Sequence, residues 1–327
     1  MYIMLKKMTL SAVLLCALAP LFAQGPMQNL PKMSESVLKE TLVYSVKDGQ
    51  ELLMDKYVDP EVPYDGDRPV LIYAFGGGFA MGSRSSAFQI PYYKHFVDRG
   101  FVVLAIDYRL GVKAPEGGKV EDLPVPEGYE TRFDYAVRIA CEDMIDATAY
   151  VVAHADEWGV DPTKIILSGS SAGAMTSLNA AYEVAGEREF ASRLPEDFNY
   201  GGVISLAGCI YVPETEPVWK KTPCPILFFH GSDDPTVPFN TRPQGGCWCY
   251  GSNYLHEQFT GLGFSHWLYE ETGSDHIIAM TPLARNYNEI DTFIDKFVMK
   301  GMKLTVHTVF TAEPPATDET VGFRIFD

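Results

Sequence analysis

The stretch from Lys164 to Met175, Lys-Ile-Ile-Leu-Ser-Gly-Ser-Ser-Ala-Gly-Ala-Met, constrains this chain more than any other. It opens as a β-branched and aliphatic run, the composition of a buried strand, then passes through Gly-Ser-Ser-Ala-Gly into small residues that favour a helix start. A strand, a sharp turn and a helix in so short a space leave Ser171 at the apex. Glycines two places away on either side let strand and helix approach closely, and the serine oxygen is pushed into open space. The backbone N–H of Ala172 opens the helix and points to where charge would develop on a carbonyl attacked by Ser171. The same short pattern also arises in ordinary glycine-rich turns, so its context has to decide what it does.

That context is a regular alternation. Residues 41–46 and 51–58 read as two strands joined by Lys47-Asp-Gly-Gln50, an edge hairpin by turn chemistry. The apolar runs at 70–75, 101–106, 202–207 and 223–229 have the character of parallel strands covered on both faces. Helical stretches separate them at 88–98, 135–158, 172–185 and 253–260, and a strand at 266–269 precedes a last long helix over 277–299. In the second of these helices the apolar positions Val137, Cys141, Met144, Thr148, Val151 and Ala155 step by four and three. Strands alternating with helices predict an α/β fold with a mostly parallel central sheet and helices on both faces. Residues 111–134, rich in Pro, Gly and acids without a period, read as a surface flap.

The chain has 327 residues, 46% hydrophobic and 21% charged, enough for one large domain with a sizeable core. Lys6 and Lys7, an apolar run from Met8 to Phe22 and then Ala23 read as a secretory signal peptide over 1–23, leaving a single domain over 24–327. The apolar run is short for a membrane span, so export to the periplasm or exterior, with no membrane contact after signal removal, is expected. A net charge of −17 argues against nucleic acid as a partner, because phosphate binding needs clustered Lys and Arg. Of the six cysteines, Cys16 leaves with the signal, and Cys141, Cys209, Cys224, Cys247 and Cys249 remain. An odd number leaves a thiol free unless chains cross-link, and the pairing is open. Cys247-Trp248-Cys249 has no second cluster at ligand spacing, so no metal site is expected. Oligomeric state is not legible.

In sheets of this kind ligands sit beyond the C-terminal strand ends. The residues there are Gly76 to Gly78, Ser171, Asp233 or Asp234, and His276. A serine hydroxyl needs a base within hydrogen-bond reach and a carboxylate to fix that base's tautomer. Serine, acid, histidine is the order along this chain, and the order expected when the serine sits on a strand–turn–helix elbow. Among the seven histidines, His276 stands after a strand, in a glycine-containing loop before a helix. His230, next to Gly231, reads as shaping the turn that presents the acid. The register His-Gly-x-x-Asp-Pro-x-Val-Pro selects Asp234 as that acid, with Asp233 the runner-up.

Phe75-Gly-Gly-Gly-Phe79, Asp107-Tyr-Arg-Leu110, Gly169-Ser-Ser-Ala-Gly173, His230-Gly-Ser-Asp-Asp-Pro235 and the late His276 together resemble the α/β-hydrolase carboxylesterases. The hormone-sensitive-lipase-like and type-B branches are the most similar, over about residues 70–299. The resemblance implies an α/β-hydrolase fold without a large cap domain, Ser171 as nucleophile, His276 as general base and acid, and Asp234 as its orienting carboxylate. The N–H groups of Gly77, Gly78 and Ala172 would form the oxyanion hole, and no cofactor is implied. Phe79, Ser170 and Trp248 are the expected substrate contacts, with the hairpin, the 111–134 segment and the 239–251 loop as possible cover. Phe75 stands where the first branch usually has His, so a loop-bracing hydrogen bond is expected to be missing. Asp107 and Arg109 read as structural partners. The expected activity is hydrolysis of small-molecule or oligosaccharide esters, with acetyl or feruloyl groups on plant polysaccharide fragments as the substrate suggested by analogy. The alternatives are a serine peptidase of the same fold and an inactive binding protein.

Overall fold

The computed structural model describes residues 31–311; the expected signal segment lies outside them. In chain order the strands are β1 Leu38–Lys47, β2 Gln50–Val58, β3 Arg68–Ala74, β4 Val102–Ile106, β5 Val160–Ser170 and β6 Gly202–Leu206. They continue with β7 Cys209–Val212, β8 Ile226–Gly231, β9 Thr241–Gln244, β10 Cys247–Gly251, β11 His266–Thr272 and β12 Thr305–Thr311. The main helices are α1 Ile90–Val97, α2 Arg132–Ala153, α3 Ala172–Ala185, α4 Ser252–Leu262 and α5 Tyr287–Phe293.

The apolar runs form the centre of a nine-stranded sheet in the order β1-β2-β4-β3-β5-β6-β8-β11-β12. Every residue of β4, β6 and β8 is buried, as strands roofed on both faces require. The expected hairpin is β1 and β2; it joins the sheet antiparallel through β2 on β4, and from β4 to β12 all pairings are parallel. The C-terminal ends of β3, β5, β8 and β11 therefore share one rim.

Helix α2 starts three residues before the expected position because Thr131 caps it: its hydroxyl accepts from the Asp134 N–H at 3.1 Å, and the Asp134 carboxylate accepts from the Thr131 N–H at 2.8 Å. It stops at Ala153, and Ala155–Trp158 is a separate turn closed by Gly159 in the left-handed region, φ 60°. The last long helix expected over 277–299 is broken. Two 3₁₀ turns, His276–Ala279 and Thr281–Leu283, precede α5, and Ile294–Met299 continues it as a π-helix. Pro282 supplies no N–H, and Asn286 sits at φ 57°, so no single helix can pass through both.

Sequence patterns missed β12 and the small antiparallel sheet β7-β10-β9. A disulfide between Cys209 and Cys249, with Cα atoms 5.8 Å apart, ties β7 to β10. Cys141 and Cys224 are buried thiols and Cys247 is partly exposed. Among the described residues no group of His, Cys, Asp and Glu is arranged to hold a metal, and no helix is long and apolar enough to cross a membrane.

Arg109 joins the end of β4 to α2: its Nε donates to Asp143 Oδ1 at 3.0 Å, and its backbone N–H donates to Asp143 Oδ2 at 2.7 Å. Arg84, in the segment after the triple glycine, pairs with Asp107 and, at 3.2 Å, with Asp55 of β2. Both arginines thus brace the strand end beside the glycine loop.

Candidate active site

Ser171 is the single residue between β5 and α3, with φ 52° and ψ −116°. A non-glycine residue at positive φ is held there only by its surroundings. Here the Ser171 N–H donates to Leu206 O at 2.8 Å, and its carbonyl accepts from the Met175 N–H at 2.9 Å. The flanking glycines are steric requirements. A β-carbon at Gly169 would lie 2.3 Å from the Gly173 carbonyl carbon, and one at Gly173 would lie 2.0 Å from Ala74 O at the end of β3. Gly173→Ala is therefore expected to push α3 off the sheet. It should lower the melting temperature, measured by thermal unfolding, by several degrees, since strain of this kind costs roughly 1–3 kcal/mol.

The rim delivers three side chains to one place. His276 follows β11 and Asp234 follows β8. The Ser171 hydroxyl lies 2.8 Å from His276 Nε2, and His276 Nδ1 lies 2.6 Å from Asp234 Oδ2. Facing a carboxylate, Nδ1 carries the proton, so Nε2 accepts from the serine hydroxyl. All three residues are buried, at 7%, 9% and 7% exposure for Ser171, His276 and Asp234. Asp234 Oδ1 is fixed separately, by the N–H groups of Thr236 at 2.8 Å and Val237 at 3.0 Å. Burial pushes the Asp234 carboxyl upward, but the neighbouring imidazoles of His230 and His276 outweigh it and hold the group well below the usual carboxylate range. Asp233 is exposed and its carboxylate accepts from the Ser232 hydroxyl at 3.2 Å, while the geometry places Asp234 against the histidine.

The glycine loop lies beside this group. A β-carbon at Gly76 would come within 2.9 Å of Ser170 O and 3.4 Å of Ser171 Cβ, so only glycine allows the approach. Gly77 and Gly78 have φ of 130° and 62°, and among the described residues neither N–H has a hydrogen-bond acceptor. Ala172 is the first residue of α3, where an N–H has no intrahelical acceptor. The loop is braced without the histidine side chain of the lipase-like branch. Phe75 stacks on Tyr108 with ring centroids 4.6 Å apart, and the Tyr108 hydroxyl donates to Phe75 O at 2.7 Å.

A family model described as the α/β-hydrolase fold matches residues 129–212, which include the elbow. An esterase from Thermogutta terrifontis, known from its structure, superposes with a TM-score of 0.56 over 82% of this chain and 96% of its own, at 23% identity. This chain has the α/β-hydrolase fold. Two curated relatives match parts of it. A non-reducing polyketide synthase from Aspergillus terreus is 44% identical over 94 residues, 27% of this chain and 4% of the synthase. The chlorogenic acid esterase of Aspergillus niger is 28% identical over 163 residues, 45% of this chain and 29% of the esterase. The chain spans less than a third of the length of the curated relatives it matches.

Within this fold, two of the expected substrate contacts are placed elsewhere. The Phe79 ring is fully buried, packed edge-on against Tyr108 and Phe133, and offers no surface to a ligand. Ser170 is 2% exposed, and its hydroxyl donates to Ala279 O at 2.6 Å, tying the turn that carries His276 to the elbow. Both corrections have one cause: closeness in sequence to a motif does not say which way a side chain points. Trp248 is partly buried on β10 and packs against the core. A cavity of about 870 Å³ lies between α2, α3 and the 127–130 segment, lined by residues that include Arg138, Asn179, Glu183 and Arg188. It is remote from the chemistry: Asn179 is two helical turns along α3 from Ser171, roughly 12 Å.

His230 lies at the end of β8, beside the turn that presents Asp234, with Nε2 3.1 Å from Val237 O and Nδ1 2.7 Å from the Ser252 hydroxyl. It is fully buried, and its Nε2 lies 3.4 Å from Asp234 Oδ2. Its signal in the sequence was its place four residues before the acid.

Proposed function

We propose that this chain is a carboxylic ester hydrolase that works through an acyl-enzyme on Ser171. The observation that carries the reading is the continuous line from Ser171 Oγ through His276 to Asp234, with spans of 2.8 and 2.6 Å. Ser171 Oγ attacks the ester carbonyl while its proton passes to His276 Nε2. Asp234 stabilises the imidazolium, and the N–H groups of Gly77, Gly78 and Ala172 receive the oxyanion. His276 then returns the proton to the departing alcohol, leaving an ester on Ser171. Water, deprotonated by the same imidazole, hydrolyses that ester and releases the carboxylic acid. Each step needs only the serine's proton and those of the attacking water, so no cofactor enters the reading.

Small-molecule or oligosaccharide esters are the proposed substrates, with acetyl and feruloyl groups on plant polysaccharide fragments foremost. The likeness to a chlorogenic acid esterase supports an ester whose acyl group is aromatic, as a feruloyl group is. Export belongs to the same proposal. The Cys209–Cys249 disulfide supports it, because such bonds persist in oxidising compartments. The test is initial rates on nitrophenyl acetate and butyrate, acetylated and feruloylated oligosaccharides, and peptide amides, alongside labelling by a fluorophosphonate. Ester turnover with labelled Ser171 is expected. Labelling with turnover of peptides alone would replace the esterase by a peptidase, and no labelling would leave a binding protein.

A further inference from the structure

The 3₁₀ turn His276–Ala279, which carries the base, is anchored at its two ends by different strands. Its start rests on the end of β8. The Asp233 N–H donates to Ser274 O at 3.0 Å, and the Asp275 carboxylate accepts from the Ile277 N–H at 2.9 Å. Gly231 permits the approach, because a β-carbon there would stand 2.3 Å from Ser274 O and 2.6 Å from Asp275 O. The far end has no such backbone support. In a 3₁₀ turn the carbonyl of residue 279 would accept from the N–H three places on, but residue 282 is proline and has none. The Leu283 N–H is spent on Met280 O, at 3.1 Å. The Ala279 carbonyl is left to the Ser170 hydroxyl, which donates to it at 2.6 Å and has Met280 Sδ as a more distant neighbour at 3.6 Å. Ser170 is 2% exposed, so water does not compete for that bond. The same hydroxyl lies against the glycine loop, where a β-carbon at Gly76 would be 3.2 Å from it.

We propose that Ser170 is a positioning residue acting through His276: by holding Ala279 O it fixes the far end of the turn and so sets the reach of Nε2 to Ser171 Oγ. This rests on the hydrolase reading of Ser171. The imidazole is then placed by two independent anchors. Contacts of Ser274 and Asp275 with the end of β8 set it against Asp234, which follows the same strand. The Ser170 hydroxyl, at the end of β5, sets it against Ser171, the next residue in the chain. One peptide link thus joins the anchor of the base to the nucleophile, so the 2.8 Å span between Ser171 Oγ and His276 Nε2 is fixed locally. Ser170 is buried, and its effect passes through His276 and not through contact with an ester. Without the hydroxyl, a buried carbonyl loses its donor and the turn is free to shift towards another.

Ser170→Ala removes the donor and keeps the β-carbon. On nitrophenyl acetate its kcat should fall by about 5- to 100-fold with KM within about twofold of the parent, because a base displaced by up to about 1 Å costs rate on this order. Labelling of Ser171 by a fluorophosphonate should slow in parallel, since it needs the same attack assisted by His276. A bond that only steadies the fold predicts a lower melting temperature with kcat per folded molecule unchanged. A fall in kcat smaller than about fivefold therefore overturns the proposal, as does labelling at the parent rate. A rise in KM at unchanged kcat would make Ser170 a substrate contact and overturn it too. Should Ser170→Ala not fold, Ser170→Cys, close in size and a much weaker donor, takes its place with the same expectations and the same threshold. The parent chain separates the two readings. A parent that neither turns over the ester nor takes the label removes the hydrolase reading, whereas an active parent matched by an equally active Ser170→Ala removes the positioning role alone.

Discussion

Ser171→Ala is expected to lower kcat on a short nitrophenyl ester by about 10⁴- to 10⁶-fold, because the proposed acyl-enzyme forms on its hydroxyl. The variant should fold as the parent does. Ser171 donates one side-chain hydrogen bond, to His276, and the elbow itself is held by the backbone contacts to Leu206 and Met175. Residual turnover belongs to the oxyanion donors and to binding, which the substitution leaves in place. Initial rates, together with a thermal unfolding curve, read both quantities. Retention of more than about 1% of the parent rate by a well-folded Ser171→Ala chain would remove the serine from the mechanism.

The second large effect belongs to Asp234. Asp234→Asn preserves the shape of the group, but its amide N–H can face His276 Nδ1 and turn the ring to the wrong tautomer, so kcat at neutral pH should drop about 10⁴-fold. The same substitution should change stability in acid. The carboxyl of Asp234 is held below its ordinary value of 3.8 in the folded chain, so the stability it contributes is present above that value and lost as pH falls below it. Denaturant unfolding at successive pH values should show the asparagine variant losing less stability than the parent between pH 4 and 2. Parallel losses in the two proteins would mean that the native carboxylate has no preferred ionised state.

How much of this was legible in the residues depended on whether local signals agreed with the packing. The central strands were plain because β3, β4, β6 and β8 are covered on both faces and so read as unbroken apolar runs. The elbow was plain because its two glycines are demanded by contacts under 3 Å that no other residue permits. The region after His276 misled because an apolar period continues through Pro282 and Asn286, and the period is blind to a missing N–H or a left-handed residue. Strands β7, β9 and β10 are only four or five residues long, too short for a period to emerge. The cysteine partners could not be read at all, since pairing is a property of where strands meet. Ser170 was misassigned because its hydroxyl is taken up by Ala279 O, 2.6 Å away.

The bond between Cys209 and Cys249 closes a covalent ring around everything between them, a separation of 40 residues that takes in β8 and Asp234. A protease that cuts once inside this ring, for instance at Val218, which is 56% exposed, yields two fragments that stay joined. Such a nicked molecule would run as one band without reductant and as two with it. The acid of the site would remain fastened to the sheet until a thiol releases it.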